Sequence, residues 1–189
     1  LFPSNGGSRF PSKVWVKELY MVQKYYPMKL SAHLCEPFVL PLVSNGETLQ
    51  FIEDAVGADM WAMFKRTQIN LHGHPYMFHP YFIEEIKNNP NKEFILQLDQ
   101  TNDHFTTTVE AANVSLLVDT SHGSGYFANE WPQYPGKKYG YSGGLGIETL
   151  PTAIEKWQKD NLFIDWIDME TKVRDKGDFS IPRVKEVIS

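Results

Sequence analysis

The chain has 189 residues, 42% of them hydrophobic and 22% charged, which suffices for one sizeable core and reads as a single domain over residues 1–189. Its net charge is −5 and its lysines and arginines are scattered, so composition argues against nucleic acid as a partner. With no apolar run of membrane-spanning length and no signal-peptide pattern, a cytoplasmic protein without membrane contact is expected.

A lone cysteine, Cys35, leaves no internal disulfide and suits a reducing compartment. The opening Leu1-Phe2-Pro3-Ser4 reads as the tail of a strand entering a loop, which implies missing upstream sequence. After the loop Asn5–Arg9, Pro11-Ser12 starts a helix with Ser12 as N-cap and Val14, Leu19 and Val22 on its apolar face, ended by Pro27. Lys29 to Leu34 alternates as a strand. Helices over Phe38–Val43 and Thr48–Val56 follow, then a strand over Met63–Leu71 that stops at His72-Gly73-His74-Pro75.

Tyr81 to Asn88 is a helix, and Phe94 to Leu98 a short buried strand closed by Asp99. A helix is expected over Phe105–Ala112. Val114 to Val118 is apolar throughout, as in a strand covered on both faces, and ends at Asp119. Tyr126 to Gly136 reads as a long loop. Lys138 to Tyr141 is a strand that breaks at Ser142-Gly143-Gly144 before a helix from about Glu148, and such a turn aims the free N–H groups of the helix's first turn at an anion. A strand over Leu162–Ile167 and a helix over Ile181–Ile188, with Pro182 in its first turn, complete the chain.

Strands alternating with helices, with polar and glycine residues gathered after each strand's carboxyl end, predict an α/β fold with a parallel sheet and a ligand site at that end. Six clear strands plus the remnant at Leu1-Phe2 predict a compact TIM-type (β/α)8 barrel, N-terminally incomplete; an open doubly wound sheet is the alternative.

Several stretches in order are similar to phosphoribosylanthranilate isomerase: Ser8-Arg9 with Pro11-Ser12, Gln68 to Gly73, Leu116 to Asp119 followed by Gly123-Ser124-Gly125, Ser142 to Leu145, and Ile167 to Glu170 with Lys176-Gly177-Asp178. The resemblance covers nearly the whole chain. It implies a cofactor-free barrel isomerase that rearranges a phosphorylated aminosugar in tryptophan biosynthesis. It also implies Asp119 as general acid, phosphate at Gly143, Gly144 and around Glu170, and a substrate carboxylate on Arg9; Gln68, His72, Gly125 and Ser142 fall in the matching motifs. The family's general base, a first-strand cysteine, has no counterpart here, and Cys35 is not its equivalent. The last loop reads Asp168-Met169-Glu170-Thr171 where the family has Ser-Gly-Val-Glu, and His74-Pro75 follows the Leu-His-Gly motif in place of an acidic residue.

Each candidate also has a plainer role. Asp119 suits either a general acid or a cap on the following turn, and His122 either a proton-sharing partner or a loop residue. Cys35, two positions from His33, is either a base or a small buried residue. Arg9 is a bidentate clamp or a solvated arginine. Asp165 and Asp168 lie three apart in sequence, so they face opposite sides of a strand. Trp15, Trp157 and Trp166 are read as packing residues.

The leading expectation is an isomerase acting on a small phosphorylated metabolite by proton transfer, with room for a homo-oligomer. The base is then Cys35 or lies upstream of Leu1. The alternatives are a metal-dependent hydrolase or lyase using His72, His74 and Asp99, with His33 and His79 as further ligands, and a barrel that binds a ligand without catalysis.

Overall fold

A computed structural model describes residues 11–35, 38–72, 78–121, 124–128 and 130–189. Described residues up to Gln97, with Thr101–Val114, form one compact unit, and those of Leu98–Gln100 with Ser115–Ser189 form a second.

The first unit begins with α1 (Lys13–Tyr25), where Ser12 Oγ accepts from Trp15 N at 3.2 Å as the sequence predicts. The face it buries is not the expected one: Val16 is buried, whereas Val14, Val22 and Trp15 are exposed. Next come β1 (Leu30–Leu34), α2 (Val39–Ser44), α3 (Leu49–Val56) and α4 (Ala58–Ala62). Gly57, at φ +97°, turns the chain between α3 and α4, a conformation costly for any residue with a Cβ.

Then follow β2 (Phe64–Ile69), α5 (Pro80–Asn88), β3 (Glu93–Leu98) and α6 (Asp103–Thr106). Helix α6 is shorter than the predicted Phe105–Ala112; Val109 N donates to Thr106 O, and Val114 N to Ala111 O, so this chain closes in turns. Strands β1 and β2 pair in parallel with His33 opposite Gln68, and β2 and β3 with Gln68 opposite Ile95. Ala32, Leu34, Ile69, Phe94 and Leu96 are buried, and Leu42, Ile52, Trp61, Phe82 and Ile86 supply the helical side of the core.

Two polar groups tie this unit's connections. Asn113 Nδ2 donates to the carbonyls of Ile86, Asn89 and Lys92 at 2.8, 3.0 and 3.1 Å. Lys92 Nζ donates to Phe64 O at 2.6 Å and stands 4.0 Å from the Trp61 ring centroid. Burial, with Lys65 adding repulsion, lowers its pKa to about 8.

The second unit holds β4 (Val114–Asp119), β5 (Tyr139–Ser142), α7 (Leu150–Lys159), β6 (Trp166–Ile167), β7 (Arg174–Asp175), β8 (Asp178–Phe179) and α8 (Ile181–Ile188). Strands β4, β5 and β6 run parallel. Tyr141, Trp131 and Trp157 pack as an aromatic core with centroids 4.8 to 5.7 Å apart. Tyr141 Oη donates to Pro132 O at 2.7 Å, and burial beside Tyr139 and Tyr134 pushes its pKa up. The predicted strand over Leu162–Ile167 shortens to Trp166–Ile167. Leu162 N is tied back to Trp157 O, and Asp165 Oδ2 accepts from Tyr139 N at 2.9 Å.

A complete (β/α)8 barrel is not formed by the described residues. They hold six parallel strands, three in each unit, and then an antiparallel pair, β7 with β8. Lys176 and Gly177 both have positive φ, +52° and +92°, which is the backbone of a tight hairpin turn. That turn sends the chain back on itself where a further parallel strand would be needed. The coarser expectation, an α/β fold with parallel strands, holds. The remnant Leu1-Phe2 lies outside the described residues. No helix among the described residues is long and apolar enough to cross a membrane.

Candidate functional site

Strand register in the second unit brings three polar residues to one level. Asp119 pairs with Ser142, and Tyr141 with Ile167, so Asp168 follows directly beside Ser142. Tyr139 and Tyr141 meet edge to face, ring centroids 5.5 Å apart, which turns Gly140 and Ser142 to the other face. Gly140 is required there because a Cβ would lie 2.5 Å from Trp166 O and against the Trp166 indole.

Beyond these strand ends opens a cavity of about 170 Å³ whose lining belongs wholly to the second unit. Asp119, Ser142 and Asp168 contribute to it. The loops add Ser121, Ser124 and Gly125 after β4, Gly143 to Leu145 after β5, and Met169 to Lys172 after β6. The expected residues Asp119, Gly125, Ser142, Gly143, Gly144 and Glu170 therefore line one cavity.

Glycine shapes that cavity at one position above all. Gly144, at φ +62°, is overlain by the 125–127 loop: a Cβ would meet Phe127 N at 2.5 Å and Gly125 O at 2.8 Å. Among the described residues the N–H groups of Gly143, Gly144 and Leu145 have no hydrogen-bond partner. Three such donors on successive residues form a concave anion cradle.

The sequence predicts donors from the first turn of the following helix, and the structure places them elsewhere. Helix α7 starts at Leu150, and the N–H groups of Thr149 and Leu150 both donate to Gly146 O, at 3.0 and 2.8 Å. Pro151 has no N–H, and Thr149 Oγ1 closes the turn on Gly144 O at 2.8 Å. Those groups of the helix start are spent internally, which leaves the cradle one turn earlier.

Asp119 is buried, and its Oδ1 accepts from Ser121 N at 3.0 Å and Ser121 Oγ at 2.8 Å. It thus caps the turn after β4 and lines the cavity as well. Ser121 also accepts from Gly125 N through Oγ at 3.2 Å, while Ser124 Oγ donates to Ser121 O. Among the described residues the Asp168 carboxyl has no such donors. Burial, with the negative charges of Glu170 and Asp119 adding to it, raises its pKa from 3.8 to about 6. Asp168 and Asp165 do separate as the strand period predicts, one into the cavity and the other onto Tyr139 N.

Glu170 is paired with Arg174 at 3.4 Å, and Arg174 also donates to Gly177 O at 2.8 Å. Being a carboxylate, Glu170 repels phosphate; the cationic side chain of the lining is that of Lys172. Sequence reasoning missed Lys172, Ser121 and Asp168 as site residues. For Asp168 a signal existed, since its register with Gly140 and Ser142 follows from strand period once β5 and β6 are paired. For Lys172 none did.

Of the remaining expected residues, Cys35, Gln68, His72 and His79 belong to the first unit. Cys35 is half-buried and accepts from Asn70 Nδ2 at 3.7 Å. Gln68 sits within β2, and His72 N donates to Asn70 Oδ1 at 3.0 Å. His79 is the N-cap of α5, its Nδ1 accepting from Tyr81 N at 3.3 Å. Asp99 is buried in the second unit, away from the cavity's lining. Arg9, His74 and His122 lie outside the described residues. Among the described residues no group of three or more His, Cys, Asp or Glu is placed to hold a metal ion.

Comparison of the chain with protein-family models, with curated proteins and with solved structures finds no match.

Proposed function

We propose that the cavity of the second unit is the active site of an enzyme that isomerises a small phosphorylated, sugar-like metabolite by acid/base proton transfer. One observation carries this reading: a carboxyl whose pKa lies near 6 shares a small cavity with a run of unpartnered main-chain donors. The donors suit a phosphate group, and the carboxyl suits a proton carrier at near-neutral pH.

In this reading the phosphate rests on the N–H groups of Gly143, Gly144 and Leu145. Asp168 and Asp119 flank the carbon skeleton. The ionised carboxylate removes a proton from the carbon beside a carbonyl or imine, and the protonated one donates to the carbonyl oxygen or imine nitrogen. Delivering a proton to the former carbonyl or imine carbon, while the hydroxyl on the neighbouring carbon loses its proton to become the new carbonyl, completes the isomerisation. No electrons are exchanged with an outside acceptor, so no redox cofactor is required. Ser121 fixes the orientation of Asp119 through its two hydrogen bonds.

The test is hydrogen exchange followed by proton NMR in D2O, with pentose 5-phosphates and their aminated analogues. Wild-type protein should wash out the proton beside the carbonyl or imine, and Asp168→Asn should slow this by about 100-fold or more. Binding without exchange would leave only a ligand-binding role. Absence of both would end the proposal.

A further inference from the structure

The cavity's cation already has a competitor for its charge. Lys172 lies in a 3-10 turn, Thr171–Val173, and its Nζ is 3.8 Å from Glu148 Oε2. Both side chains are substantially exposed, at 44% and 68%, so the pair is solvated, and such pairs separate readily. The lysine stem is held more firmly than its head: a Cβ on Gly146 would come within 2.8 Å of Lys172 Cγ.

The neighbouring charges define what the ammonium can do. Glu170 is occupied by Arg174, while Asp119 and Asp168 stand on the strand side of the cavity. Glu148 lies outside the lining and Lys172 within it. An anion seated on the amides of Gly143 to Leu145 therefore meets Lys172, the one cation of the lining among the described residues, and that cation is shared with a carboxylate.

From this we infer that Lys172 exchanges Glu148 for the ligand's phosphate, so that Glu148 acts as a built-in competitor that sets the site's affinity for phosphate esters. The inference rests on the proposed anion site and deepens it. Lys172 is a binding residue here, Glu148 a specificity residue that touches no ligand. The two make an uncommon prediction together, because removing an acidic side chain should tighten binding only while the lysine is present.

The experiment is calorimetric titration of the full chain with inorganic phosphate and with ribose 5-phosphate at fixed ionic strength. Circular dichroism on each variant checks folding. Lys172→Met should weaken binding about tenfold, as expected for loss of a charge-assisted contact. Glu148→Gln should tighten it by roughly two- to fivefold, the scale of an exposed ion pair. In the Lys172→Met background, Glu148→Gln should change nothing. Gly146→Ala, which pushes the lysine stem aside, should weaken binding without altering any charge.

An unchanged or weakened Glu148→Gln variant, or a gain that persists without the lysine, would overturn the exchange while leaving the anion site standing. Failure of the wild-type protein to bind either anion would overturn both readings.

Discussion

Replacing Asp168 with Asn should stabilise the protein while removing its proposed activity. The carboxyl is partly buried, has two like charges nearby, and its pKa rises from 3.8 to about 6. At about 1.4 kcal/mol per pKa unit, the ionised form in the folded protein is penalised by about 3 kcal/mol. The sign follows from proton binding: between pH 4 and 6 the folded chain holds this proton and the unfolded chain has lost it, so stability falls as pH rises through that window. Above it the penalty is fully present; below about pH 4 it vanishes. Asp168→Asn carries no such penalty, so its advantage should be about 0.5 kcal/mol at pH 4 and about 1–3 kcal/mol at pH 8, where the solvent-open cavity discounts the full value. Urea unfolding of both proteins at pH 4, 6 and 8 measures it, with slopes compared to check that the unfolded states match. A variant less stable at pH 8, or an advantage independent of pH, would show that the carboxyl is comfortable where it sits. Asp168 would then not be the proton carrier.

Two further substitutions probe the framework. Gly144→Ala forces a side chain into positive φ and onto the backbone of residues 125–127, and should cost about 2–4 kcal/mol in urea unfolding while weakening phosphate binding. Asn113→Ala leaves three backbone carbonyls of the first unit without their shared donor, and should cost about 2 kcal/mol, with faster amide exchange in β3 as the local signature.

Most elements were legible because local chemistry declares them. Ser12 caps α1, Pro80 and Pro182 sit in the first turns of α5 and α8, and the apolar run at Val114 to Val118 is a buried strand. The errors fall where a distant partner decides. Leu162 to Ile167 has strand character, yet Leu162 N is tied back to Trp157 O, and the chain joins β5 only where Asp165 N reaches Tyr139 O. The exposed face of α1 likewise depends on what packs against Val16, which periodicity does not contain.

The site divides in the same way. Composition and order alone pointed to a polar, glycine-bearing end of the strands, because glycine after a strand marks close backbone approach and aspartate after an apolar run marks a strand terminus. Which residues meet there was settled only by register. Pairing Asp119 with Ser142, and Ile167 with Tyr141, assembled Asp168 into the cavity, and the turn after it carried in Lys172. Sequence specifies what each residue can do chemically; proximity between residues dozens of positions apart arises from the hydrogen-bond ladder between strands, and no local pattern encodes that ladder.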